Sequence, residues 1–227
     1  MSSLKRPLLL VLAALLVTSL VRALDPDIDP VLRYYWEHAR AAAATFDPNV
    51  PGVSYQFTAK TYRHSVTKGG FIRMSDSITQ DYFYSNGVLD SVRTVRGLAK
   101  HFKNLDLSCP AVFQGEYHLN LFPNDTGGAK LAIGLSTDSV LEHQPDGLVV
   151  LDRYRYFPHS LYLYFPDKGG YSRFTRSFRF VLIDGYVFPD SVWEVATRLG
   201  IFFPESYRLE TGITNIRVLT SADSARP

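Results

Sequence analysis

The sequence predicts a mostly β fold of the α+β class, in which an antiparallel sheet carries one amphipathic helix near its N-terminus. Three observations predict it. A single segment repeats apolar residues at helical spacing, the later segments alternate apolar and polar residues with period two, and the joining turns are too short for parallel crossovers.

Taken in order, Lys5 and Arg6 precede an uncharged run from Leu8 to Val21, which ends in the small-x-small pattern Val21-Arg22-Ala23. A basic start, an apolar stretch of ~14 residues and a small-residue cleavage pattern make a secretion signal. Cleavage is expected after Ala23. Residues 1–23 are then a removed signal peptide, 24–220 a single β-rich domain and 221–227 a small, polar, fraying tail. The apolar run falls short of the ~20 residues needed to span a bilayer, so no transmembrane segment is expected in the mature form. The protein is expected to work outside the cytoplasm.

Asp29 and Pro30 read as an N-cap and a first helical residue. Leu32, Trp36, Ala39, Ala43 and Phe46 then recur three and four apart, which predicts a helix ending before Pro48. Beyond Pro51 the period becomes two. Val53, Tyr55, Phe57 and Ala59 share one face, and the same pattern returns in Tyr117-Leu119-Leu121, Leu131-Ile133-Leu135, Leu161-Leu163-Phe165 and Phe178-Phe180-Leu182. Turn residues separate the runs at Lys68-Gly69-Gly70, Asn86-Gly87, Asp125 to Gly128, Lys168-Gly169-Gly170 and Asp184-Gly185, as expected of an antiparallel meander. The stretch Val95 to Gln114 is less regular and is expected to hold a short helix or a covering loop. With 14 Tyr and 15 Phe, often on both faces of a run, the sheet needs cover on both sides or a second concave surface for an apolar ligand.

Charge removes one class of partner. The leader takes three of the 24 basic residues with it, leaving 21 against 22 acidic ones and a net charge of about −1. Nucleic-acid binding would need a basic excess. Cys109 is the only cysteine, so no intramolecular disulfide forms and packing alone must stabilise the domain.

Catalytic signatures are sparse. None of the six His residues stands in an H-E-x-x-H arrangement, and there is no G-x-S-x-G and no P-loop. Asp25, Asp27 and Asp29 alternate like the start of a calcium loop, but Pro26 and Pro30 interrupt it and Trp36 stands where the bidentate acid belongs. Asp125-Thr126-Gly127 matches the triplet of aspartic proteases, yet Pro123 and Asn124 precede it and no second triplet exists, so a polar turn is the simpler reading. In a eukaryotic secretory route Asn124 would be a glycan acceptor. Arg173 and Arg179 share one strand face and Arg176 takes the other, which reads as a solvated strand.

Together the leader, the helix from Val31 to Phe46, the strand opening Val53-Ser54-Tyr55-Gln56-Phe57 and the closing run resemble the periplasmic lipoprotein-carrier family of LolA- and LppX-like half-barrels. That closing run goes from Asp184-Gly185-Tyr186-Val187-Phe188-Pro189 through Tyr207-Arg208-Leu209 to Asn215-Ile216-Arg217-Val218. The resemblance implies a curved sheet open along one side, whose concave apolar face is covered by helices and accepts an acyl chain of a lipid or lipoprotein. It also implies a periplasmic location, with secretion as the alternative, and requires no cofactor, metal or catalytic residue. Strand parity offers Tyr55, Phe57, Leu119, Leu121, Leu161, Leu163, Phe178 and Phe180 as the lining, with Trp36 from the helix. The same residues would equally make a plain core. Two other functions stay open: a ligand-free β-sandwich or barrel module that meets an envelope or membrane protein, and a hydrolase using Asp125.

Overall fold

The computed structural model of the chain describes residues 29–66, 71–102, 107–108, 111–122, 128–138, 144–165, 173–198 and 205–219. The leader with its cleavage point, Asp25 and Asp27, Cys109, Asn124 and Asp125, both Lys-Gly-Gly turns and the tail 221–227 lie outside the described residues.

Helix α1, Pro30–Thr45, begins where the sequence predicts, with the Asp29 carboxylate accepting from the Val31 N–H at 2.8 Å. It buries Leu32, Trp36, Ala39 and Ala42, so that Ala42 rather than Ala43 completes the stripe. Among the described residues no helix is long and apolar enough to cross a membrane. Among the described residues ten strands follow: β1 Ser54–Val66, β2 Ile72–Ser85, β3 Val88–Arg96, β4 His118–Leu121, β5 Lys130–Ser136, β6 Asp146–Asp152, β7 Pro158–Phe165, β8 Arg173–Ile183, β9 Tyr186–Arg198 and β10 Glu205–Leu219. Two single-turn 3-10 segments, Ala99–Phe102 and Val112–Gln114, occupy the irregular stretch before β4.

All strands join one antiparallel sheet in the order β3-β2-β1-β10-β9-β8-β7-β6-β5-β4. The edges β3 and β4 do not pair, so the sheet is an open half-barrel. A continuous meander would have put β3 beside β4. Instead the first and last strands pair inside the sheet as its third and fourth members, with Thr61 opposite Thr211 and their buried hydroxyls 2.9 Å apart. Two-residue hairpins turn at Asn86-Gly87 and Asp184-Gly185, all four residues having the positive φ such turns require. A Cβ on Gly87 would stand 2.7 Å from the Asn49 carbonyl carbon and the Val50 oxygen, so only glycine lets the helix-to-β1 loop cross there.

Register slips bend the sheet. Gln56 faces Arg217 but Thr58 faces Thr214, so β10 carries an extra residue, with Asn215 at φ 54°. A second slip lies between Arg179 and Phe180 in the pairing of β8 with β9. Beyond it Val181 and Ile183 pack against the core, whereas Leu182, expected alongside Phe178 and Phe180, does not join the core.

Candidate functional site on the concave face

Odd residues of β1 set the floor of the concave face. Tyr55 stands opposite Tyr84 and Phe57 opposite Tyr82, and the rings stack with centroids 4.3 and 5.0 Å apart. The floor continues across β10 and β9 through Ile213, Val192 and Phe188, across β8 through Phe178 and Phe180, and over β7, β6 and β5 through Leu161, Leu163, Val149 and Ile133. Above it Trp36 of α1 stacks on Phe113 at 5.3 Å and meets the edge of Tyr117 at 6.1 Å. Trp36, Tyr55, Phe57, Leu119, Leu161, Leu163, Phe178 and Phe180 therefore sit in one buried cluster, while Leu121, at the end of edge strand β4, is 42 % exposed and outside it.

One row of this floor is charged. In register across the sheet stand Asp76 on β2, Arg63 on β1, Leu209 on β10, Glu194 on β9, Arg176 on β8 and Leu163 on β7. Arg176 and Glu194 are only 5 % and 8 % exposed. The Arg176 Nε and Nη2 both donate to Glu194 Oε2, at 3.1 and 2.8 Å, and the Tyr207 hydroxyl donates to Oε1 at 2.7 Å. The expected solvated strand is thus corrected at Arg176, whose side chain lies inside beside the Phe174 ring; exposed Arg179, on the other face, pairs with Asp190 at 2.8 Å. Sequence reading missed Glu194 and Tyr207 as well. The available signal was their parity, since Glu194 lies between the buried Val192 and Ala196.

Two phenols complete the interior. Tyr55 donates to Asn49 Oδ1 at 2.6 Å, and burial, reinforced by Tyr84, raises its ionisation far above the ordinary tyrosine range. The Tyr117 hydroxyl is buried without a hydrogen-bond partner among the described residues, and burial, with the Asp146 charge, pushes it up to about 12. Because both phenols titrate higher folded than unfolded, their contribution to stability is complete below the unfolded value near 10 and is lost as pH rises beyond it. The urea midpoint of the protein is therefore expected to fall steeply between pH 10 and pH 11. Tyr117→Phe should soften that fall and stabilise the protein by about 1 kcal/mol at pH 7, because it removes an unsatisfied donor. An unchanged midpoint at pH 7 would mean that the hydroxyl is hydrated.

No protein-family model matches the sequence, and comparison with curated proteins returns no match. Several solved structures are similar to the chain. An outer membrane lipoprotein-sorting protein domain from Vibrio parahaemolyticus is 12 % identical, with 82 % of this chain and 92 % of that chain covered, at a TM-score of 0.39. A LolA superfamily protein from Nitrosomonas europaea is 12 % identical over 85 % of this chain and 96 % of that one, at 0.35. A chain of the Pseudomonas aeruginosa MucA/MucB complex is 10 % identical over 81 % and 99 %, at 0.28. The similar solved structures include a LolA superfamily protein and an outer membrane lipoprotein-sorting protein domain.

Proposed function

We propose that the chain is a non-enzymatic envelope protein, exported to the periplasm by residues 1–23, that binds an acyl chain of a lipid or lipoprotein on the concave face and serves as its carrier. The observation behind this reading is the disparity between that face and its described cover. Ten strands span about 43 Å, whereas a 16-residue helix is about 24 Å long and one helix wide. Beside the helix, the described cover is Leu107, Val112, Phe113 and Tyr117, carried on irregular backbone and a single 3-10 turn closed by Gln114-to-Ala111 and Gly115-to-Val112 hydrogen bonds. Such segments open at far lower free energy than a packed second layer.

Once the cover lifts, Trp36, Tyr55, Phe57, Leu119, Leu161, Leu163, Phe178 and Phe180 become the lining, with Leu121 at the rim. Each buried methylene contributes about 0.8 kcal/mol, so a chain of about a dozen carbons offsets the loss of freedom on association. The unpartnered Tyr117 hydroxyl would donate to an ester or amide carbonyl at the head of that chain. Sequestering a lipid needs no bond-making chemistry, so no catalytic residue or cofactor is assigned.

A second reading, a protein-binding envelope module without a lipid, is favoured by β3. All nine of its residues are exposed, Val88, Leu89, Val92 and Val95 among them, and among the described residues its outer edge is unpaired, a template for strand addition. Native mass spectrometry of protein purified without detergent from its own secretory compartment, repeated after solvent extraction, separates the two. A stoichiometric acyl lipid is the expected result. A clean apoprotein that also ignores added fatty acids and lipoproteins would overturn the carrier reading and leave the strand edge.

A further inference from the structure

On the opposite, convex face we propose a second binding site, for an extended neutral oligosaccharide. A shallow open groove of about 350 Å³ runs over β7 to β10, lined by Tyr162, Thr175, Ser177, Trp193, Val195, Arg208 and Glu210. Cross-strand register places Tyr162 beside Ser177, Ser177 beside Trp193, Trp193 beside Glu210, and Glu210 beside Tyr62 of β1. One row across five strands therefore alternates ring and polar side chain. The rings are exposed: Tyr162 51 %, Trp193 38 % and Tyr62 37 %. Single exposed aromatics are ordinary, but Tyr162 and Trp193 stand in one register row on either side of a serine and line the groove as a two-ring platform; Tyr62 continues the row beyond the groove, with Lys60 Nζ 5.0 Å from its ring centroid.

The chemistry of the row selects its ligand. Strands are ~4.8 Å apart, so successive rings stand about 10 Å apart, close to the spacing of every second pyranose in an extended β-linked chain. The C–H face of a sugar stacks on an aromatic ring, and its hydroxyls both donate and accept. Ser177 and Thr175 on the groove floor and Arg208 and Glu210 at its end supply both functions. Arg208 Nη1 lies 3.6 Å from Glu210 Oε1, so the two charges lining the groove cancel, and Lys60, against Tyr62 at the far end of the row, adds one cation outside it. Its openness also suits a hydrated chain better than an acyl tail, which needs enclosure.

Titration calorimetry of the full chain with cellohexaose and with chitohexaose tests the site. Saturable binding of at least one of them is expected, weakened about tenfold by Trp193→Ala and by Tyr162→Ala, the factor corresponding to ~1.4 kcal/mol of lost ring contact. Each variant loses a partly buried ring from a strand and should lower the unfolding midpoint by about 2–4 °C, so binding is measured well below the midpoint of either variant. Whichever hexaose binds more tightly shows whether the groove prefers N-acetylated sugars. The site is refuted by no saturable binding of either hexaose up to its solubility limit, or by binding that survives Trp193→Ala. The acyl-lipid content of Trp193→Ala should equal that of wild type, so failure here leaves the concave-face reading untouched.

Discussion

Arg176→Met is expected to destabilise the fold by about 3–5 kcal/mol, and adding Glu194→Leu to restore most of that loss. Glu194 lies on the inner face with two hydrogen-bonding partners, the Arg176 guanidinium and the Tyr207 hydroxyl. Removing the guanidinium leaves a buried carboxylate facing a single neutral donor, and breaking a buried pair from one side costs about that much. For a domain of this size the drop corresponds to a fall in thermal midpoint on the order of 10 °C. Replacing both partners removes the stranded charge and puts two apolar side chains among Leu163, Leu209 and Phe174, an exchange that is often neutral or better. The double-mutant cycle measures the coupling directly. If Arg176→Met alone loses less than about 1 kcal/mol, water already reaches the pair and the row opens to solvent.

The difficulty of reading that pair from sequence has a specific cause. Counting back from the Asp184-Gly185 hairpin places Ile183 opposite Tyr186, and the same count would place Arg176 opposite Trp193. The slip between Arg179 and Phe180 adds one residue to β9 and brings Glu194 opposite Arg176 instead. Bulges of this kind follow from tertiary curvature, and the local mark here is Pro189 beside the slip, since an interior strand carries proline at a bulge; a count from the hairpin passes over it. Charge also misled, because Arg176 lies between Phe174 and Phe178 and its parity already placed it inside. Here parity was the better guide than polarity.

Features encoded locally were legible. The helix start at Asp29-Pro30, the alternation of Tyr55, Phe57 and Ala59, and the positive-φ hairpins each depend on a few neighbouring residues, and each stands where the sequence puts it. The pairing of β1 with β10 was not legible, because it joins Thr61 to Thr211 across 150 residues and no turn connects them. Parity could likewise assign Leu161 and Phe178 to one face of the sheet. It could not say what lies above that face, since cover is decided by irregular segments such as Val112–Gln114 that have no period to read.

Phe178→Ala should have the largest effect of any single truncation on the concave floor. The ring is 1 % exposed, stands between Leu161 on β7 and Val192 on β9, and stacks on Phe180 with centroids 5.9 Å apart. A rigid sheet cannot collapse into the space left behind, so the loss combines the transfer free energy of the ring with a cavity term, about 3–5 kcal/mol together. Tyr162→Ala, on the outward face of neighbouring β7, loses only a half-exposed ring, should cost about 1 kcal/mol and so controls for strand disruption. The variant also distinguishes a plain core from a ligand floor. In a plain core the deficit is the same with and without lipid. Where an acyl chain lies over Phe178, added fatty acid should fill the new cavity and raise the unfolding midpoint of Phe178→Ala more than that of wild type, by mass action on the folded state. Equal midpoints with and without fatty acid in both proteins would mean that Phe178 packs only against the protein itself.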